Sequence, residues 1–145
     1  MSFLRQVRET ATHLQSGSGT IMNASSISVK ETFGSLSLSS VVRMSEIGMA
    51  KILARDLGSE VRVNMGLAGI FETPRLIERI EKKVDEGTFE SYEAGLDSYA
   101  EASPLNWIGG LTEIGEAITY LSSDRASFIT GVALPVDGGA TYSNL

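Results

Sequence analysis

The sequence predicts an α/β fold in which three parallel strands carry helices on both faces. Three observations predict it. Apolar residues recur at helical spacing within residues 2–15, 37–57 and 112–122. Short apolar runs bounded by turn signals stand between these segments, at 20–24, 61–65 and 132–136. The order helix, strand, helix, strand, helices, strand is that of a parallel sheet with right-handed crossovers.

Each element has its own signals. Phe3, Leu4, Val7, Ala11 and Leu14 make residues 2–15 an amphipathic helix, which Gly17-Ser18-Gly19 ends. Thr20 to Ala24 is the first strand. Val41, Val42, Met44, Ile47, Ala50, Ile52, Leu53 and Leu57 give the helix over 37–57 a wide apolar face, and Gly58 closes it. Val61-Arg62-Val63-Asn64-Met65 is the second strand. Thr73-Pro74 starts a helix, since proline is favoured at the first helical position. Residues 75–103 hold eight acids against four bases, and their sparse apolar positions Leu76, Ile80 and Val84 are helix-spaced. They read as two short surface helices broken near Gly87, an acidic excursion from a single domain spanning 1–145. Thr112 is the expected cap of a helix holding Ile114, Ala117, Ile118 and Leu121. The third strand, 132–136, is closed by Asp137-Gly138-Gly139.

Composition excludes several function classes. A net charge of −6 without a Lys/Arg cluster speaks against nucleic acid, because phosphate binding needs grouped cations. There is no cysteine and one histidine, His13, so disulfides and a zinc site are not expected. No apolar run approaches the ~20 residues that cross a bilayer. No signal-peptide pattern appears, and a cytoplasmic location is the expectation.

Four segments carry a resemblance to a known family. They are Gly19-Thr-Ile-Met-Asn-Ala-Ser-Ser26-Ile-Ser, Val61-Arg-Val-Asn64, Ala68-Gly69-Ile-Phe-Glu-Thr73-Pro74, and Ser123-Asp-Arg-Ala-Ser-Phe-Ile-Thr-Gly131 followed by Leu-Pro-Val-Asp-Gly-Gly139. Together they resemble the C-terminal half of a short-chain dehydrogenase/reductase. The last segment is the most specific. The resemblance implies the C-terminal half of a doubly wound Rossmann-like parallel sheet, its strands the fifth to seventh of seven, in a truncated domain. It implies that the glycine-rich phosphate turn lies outside this sequence. Gly17-Ser18-Gly19 does not replace that turn: Met22 stands where a third glycine belongs, and the segment precedes a strand instead of opening a helix.

The family's reaction needs a tyrosine phenol to pass a proton, a nearby lysine to lower the phenol's pKa, and a serine to hold the substrate oxygen. Ser26 matches that serine. Thirteen residues on, where the tyrosine belongs, stands Ser39, and four further, for the lysine, Arg43. A serine hydroxyl is far less acidic than a phenol and shorter by a ring. Arg43 keeps the charge but not the compact ammonium. None of Tyr92, Tyr99, Tyr120 and Tyr142 has a lysine four residues later. A serine at a strand end ordinarily satisfies a turn, which is the expectation for Ser26. Thr73 matches a nicotinamide contact of the family, and its expected role here is to cap the helix at Pro74. Trp107 stands near the start of the last helix, where relatives often carry arginine.

The reading that follows is a pseudoenzyme. The chain is expected to be a non-catalytic subunit of a hetero-oligomeric NAD(P)-dependent alcohol dehydrogenase. Its partner would be a full-length, catalytically complete member of the family that holds NAD(P), in an assembly such as a heterotetramer. Val41, Ile47, Leu53 and Trp107 are the candidate interface residues. No cofactor, metal or catalytic residue is assigned to this chain. Two alternatives stand beside that reading. One is half of a split dehydrogenase whose other chain supplies the cofactor-binding half; the other is a binding module in which 75–103 closes over a small ligand.

Overall fold

A computed structural model describes residues 2–17, 19–31 and 37–143; Ser18, in the Gly17–Gly19 segment, lies outside the described residues. Helix α1 (Ser2–Gln15) leads into strand β1 (Thr20–Ser26). A 3-10 turn, Ile27–Val29, follows, then α2 (Ser37–Asp56) and β2 (Arg62–Ala68). Helices α3 (Pro74–Asp85), α4 (Tyr92–Ala100) and α5 (Leu111–Ser122) come next, and β3 (Ala133–Val136) closes the order. The strands form one parallel sheet in the order β1-β2-β3, with Thr20 opposite Arg62 and Met65 opposite Ala133. The predicted α/β architecture is therefore the observed one.

Side chains alternate across a strand, so β2 separates two layers. Val63 and Met65, with Ile21 of β1, meet Phe3 and Val7 of α1 and Ala50 and Ala54 of α2. On the opposite face Ile118 of α5 packs over Gly66. Strand β2 is buried along its interior because both faces are covered, as is usual in parallel sheets. Two of its polar residues join the layers. Arg62 reaches the C-terminal end of α5 and donates to the carbonyls of Leu121 (2.6 Å), Ser123 (3.1 Å) and Ser122 (3.2 Å). These are carbonyls a helix end leaves unpaired, and a cation is favoured there. Asn64 is fully buried; its amide donates to Ile129 O at 2.9 Å and accepts from Val132 N at 3.1 Å.

Two expectations are corrected. The cap of α5 is Gly110, not Thr112: the Glu113 carboxylate accepts from the Gly110 N–H at 2.6 Å, which leaves Thr112 inside the first turn. The second concerns α2. Val41 is 69% exposed, whereas Ile47 and Leu53 pack against this chain's own core. Residues six apart on a helix are turned by about 240° from one another, so Val41, Ile47 and Leu53 cannot share a face. The outward face holds Leu38, Val41, Met44 and Ile52, all exposed, with Gly48 among them.

Candidate functional site

The carboxyl ends of the strands are where ligands of doubly wound sheets bind, at the loops that follow the strands. Strand β1 ends in Ser26. Its Oγ accepts from Ser28 N at 3.2 Å and so caps the 3-10 turn that follows. Helix α2 packs against that turn and carries Ser39 and Arg43 one turn apart, both half-buried. The Arg43 Nε donates to Ser39 Oγ at 3.1 Å. The structure thus joins these two predicted positions directly, while the Ser26 hydroxyl is engaged by its own turn. Further along α2, Glu46 accepts from the Asn23 amide at 3.3 Å, which ties the helix to the body of β1.

Strand β2 runs into Gly69, whose N–H donates to Val136 O at 3.0 Å. Gly69 has no room for a side chain, since a Cβ there would sit 2.6 Å from Asp137. The chain then bridges Phe71 to Gly109 and reaches Thr73. The Thr73 hydroxyl accepts from Leu76 N at 3.2 Å as the cap of α3. After β3, Gly138 adopts φ +63° beneath Ser103, whose hydroxyl donates to Gly138 O at 3.1 Å. A Cβ at Gly138 would approach Ser103 Oγ to 2.3 Å, so only glycine fits. The Asp137 carboxylate accepts from Gly139 N and from the backbone and hydroxyl of Thr141, locking the turn.

Two cavities among the described residues adjoin these contacts. The larger, about 530 Å³, lies between the 103–109 loop and the Asp137–Gly139 turn and is mostly apolar, with Trp107 at its wall. Trp107 is 51% exposed there. The smaller, about 240 Å³, follows β2 and is lined by residues that include Ile70, Leu76, Arg75, Arg79 and Tyr99. Neither cavity was evident from the sequence. The signal that stood in it was Arg75 and Arg79, like charges one turn apart.

Comparison with known proteins agrees with this geometry. A family model described as enoyl-(acyl carrier protein) reductase matches residues 1–141. The 2-keto-3-deoxy-L-fuconate dehydrogenase of Xanthomonas campestris is 33% identical over 129 residues, 87% of this chain and 41% of the relative. A short-chain dehydrogenase family protein of Francisella tularensis superposes with a TM-score of 0.87 at 26% identity, over 97% of this chain and 57% of that one. The chain belongs to the short-chain dehydrogenase/reductase family. The 3-oxoacyl-(acyl-carrier-protein) reductase of Thermotoga maritima is also similar, 33% identical over 94 residues, 64% of this chain and 33% of the relative. The chain spans less than half the length of these two curated relatives.

Family membership raises the question of a nicotinamide dinucleotide. Two residues of the matched segments bear on it. Gly19 is a packing glycine, because a Cβ there would meet Leu14 Cδ2 at 2.6 Å. The Thr73 hydroxyl accepts from Leu76 N as a helix cap, which leaves its own O–H as a donor. Among the described residues no group of three or more His, Cys, Asp or Glu side chains is placed to hold a metal ion. No helix among them is long and apolar enough to cross a membrane.

Proposed function

We propose that this chain is a pseudoenzyme of the short-chain dehydrogenase/reductase family. It acts as a non-catalytic subunit of a hetero-oligomeric NAD(P)-dependent alcohol dehydrogenase. The catalytic work, and the NAD(P), belong to a full-length partner with its own tyrosine and lysine. The observation that carries this reading is the pair Ser39–Arg43. These residues stand where the family's proton-transfer couple belongs, and they bond to one another at 3.1 Å. A serine hydroxyl cannot stand in for the phenol, because its acidity lies far from that of tyrosine. Arg43 spends its Nε–H on that hydroxyl, and its planar guanidinium is not the compact ammonium of a lysine.

The surface supports a partner. Leu38, Val41, Met44 and Ile52 present an apolar outward strip on α2, and Trp107 adds a half-exposed indole elsewhere. Exposed apolar side chains grouped on one helix face are a feature of interaction sites, and tryptophan is favoured at their centres. A subunit of this type is similar to the non-catalytic chain of the heterotetrameric alcohol dehydrogenase that acts on a benzylsuccinyl-CoA derivative in anaerobic toluene degradation.

The test is turnover of the assembled complex carrying Ser39→Ala with Arg43→Met. The expected rate is within about twofold of the unmodified complex. Loss of a proton-transfer group would cost ~10²-fold or more, and a loss of that size would contradict the proposal and favour a split enzyme.

A further inference from the structure

The cavity after β2 has a composition at odds with the rest of the chain. The chain carries a net charge of −6, yet Arg75 and Arg79 both line this opening. They lie one turn apart on α3, and Lys83 continues the same ridge. Like charges four residues apart destabilise a helix. Acids are at hand to relieve them: Glu78 and Glu81 stand on the same helix. Even so, among the described residues neither guanidinium makes a hydrogen bond or an ion pair, while Lys82 pairs with Glu86 at 3.6 Å. Lys83 is held back from the opening by two rings, 5.0 Å from the Phe89 centroid and 5.4 Å from that of Tyr99. Tyr99, Ala68, Ile70 and Leu76 line the cavity together with the arginines.

We propose that this cavity binds a small organic anion, with its carboxylate or phosphate held between Arg75 and Arg79 and a short apolar body resting on Ile70, Leu76 and Tyr99. A guanidinium presents a planar fork of N–H donors that matches either group, and two of them one turn apart can close on one anion from both sides. The volume of about 240 Å³ sets the size of the guest at a handful of carbon atoms. The site lies outside Ser39 and Arg43, and it does not rest on the chain's being catalytic or not.

The test is calorimetric titration of the chain with butyl phosphate and, separately, with valerate. Saturable binding of either supports the proposal, and the tighter of the two tells phosphate from carboxylate. Arg75→Gln with Arg79→Gln should weaken that binding at least about tenfold, since two charge-assisted hydrogen bonds are lost. Arg5→Gln with Arg55→Gln removes the same charge from exposed positions on other helices and should leave it unchanged. A second readout needs no variant: in the unmodified chain, amide resonances of Gly69, Leu76 and Arg79 should shift as the ligand is added. No binding of either compound tighter than about 10 mM would overturn the proposal. So would equal weakening in the two double variants, or shifts confined to other parts of the chain.

Discussion

Arg43 donates its Nε–H to the hydroxyl of Ser39 one turn back along α2, at 3.1 Å. On the proposed reading, these two side chains stand where the family sets its phenol and its ammonium. Restoring both, by Ser39→Tyr with Arg43→Lys, supplies a proton donor but no hydride carrier. The chain alone is expected to show no dehydrogenase activity after this change, followed by nicotinamide absorbance with a panel of alcohols. In a complex with its partner the turnover should stay within about twofold, against the ~10²-fold that a working general acid contributes. A several-fold gain per complex would show that this site reaches substrate and cofactor.

The chain is expected to bind neither NAD nor NADP with useful affinity. Gly17-Ser18-Gly19 has Met22 in place of a third glycine and leads into a strand, and Gly19 packs against Leu14. Calorimetry should give dissociation constants weaker than about a millimolar, under ~4 kcal/mol of binding. A micromolar constant for either dinucleotide would refute this.

Asn64 should be the most costly polar residue to lose. It is wholly buried and holds both Ile129 O and Val132 N, stitching β2 to the chain that enters β3. Asn64→Ala removes two hydrogen bonds and strands the Val132 N–H, worth ~1–3 kcal/mol when left unmet, while Ile129 O keeps only the Arg62 guanidinium at 3.4 Å. Urea unfolding should show a loss of about 2–4 kcal/mol. Arg62→Met should cost less, about 1–3 kcal/mol, because water can reach the α5 carbonyls that it vacates.

The corrected face of α2 changes which substitution probes assembly. Ile47→Asp would place a charge against this chain's own core and should unfold it. Val41→Asp, at a 69% exposed position, should leave the melting temperature within a few degrees while weakening the complex. Size-exclusion chromatography of the co-expressed pair separates the two outcomes. An intact complex with Val41→Asp would exclude this strip as the contact.

Much of this was legible in the sequence, and the failures are instructive. The helix at 2–15 was legible because Phe3 and Val7 are spaced by burial on the sheet, and that at 37–57 because its apolar positions, buried and exposed alike, keep helical spacing. The start at Thr73 was legible because a threonine hydroxyl and a proline make a local signal. Gly110 was not, because a glycine cap has no side chain to announce it; Glu113, reaching back three residues, was the clue. Val41, Ile47 and Leu53 were grouped by hydrophobicity where phase around the helix decides. The cavity at Arg75 and Arg79 needs Tyr99, a residue of α4, to be brought beside α3, and no local pattern encodes that approach.

The most direct test of the subunit reading is native mass spectrometry of the chain captured at physiological levels from its own source. The predicted result is a complex of fixed stoichiometry. In it this chain is joined to a second member of the family that carries its own tyrosine and lysine four residues apart and retains NAD(P). A chain that is captured alone with a bound dinucleotide, or joined to a partner that lacks that tyrosine and lysine, would contradict it.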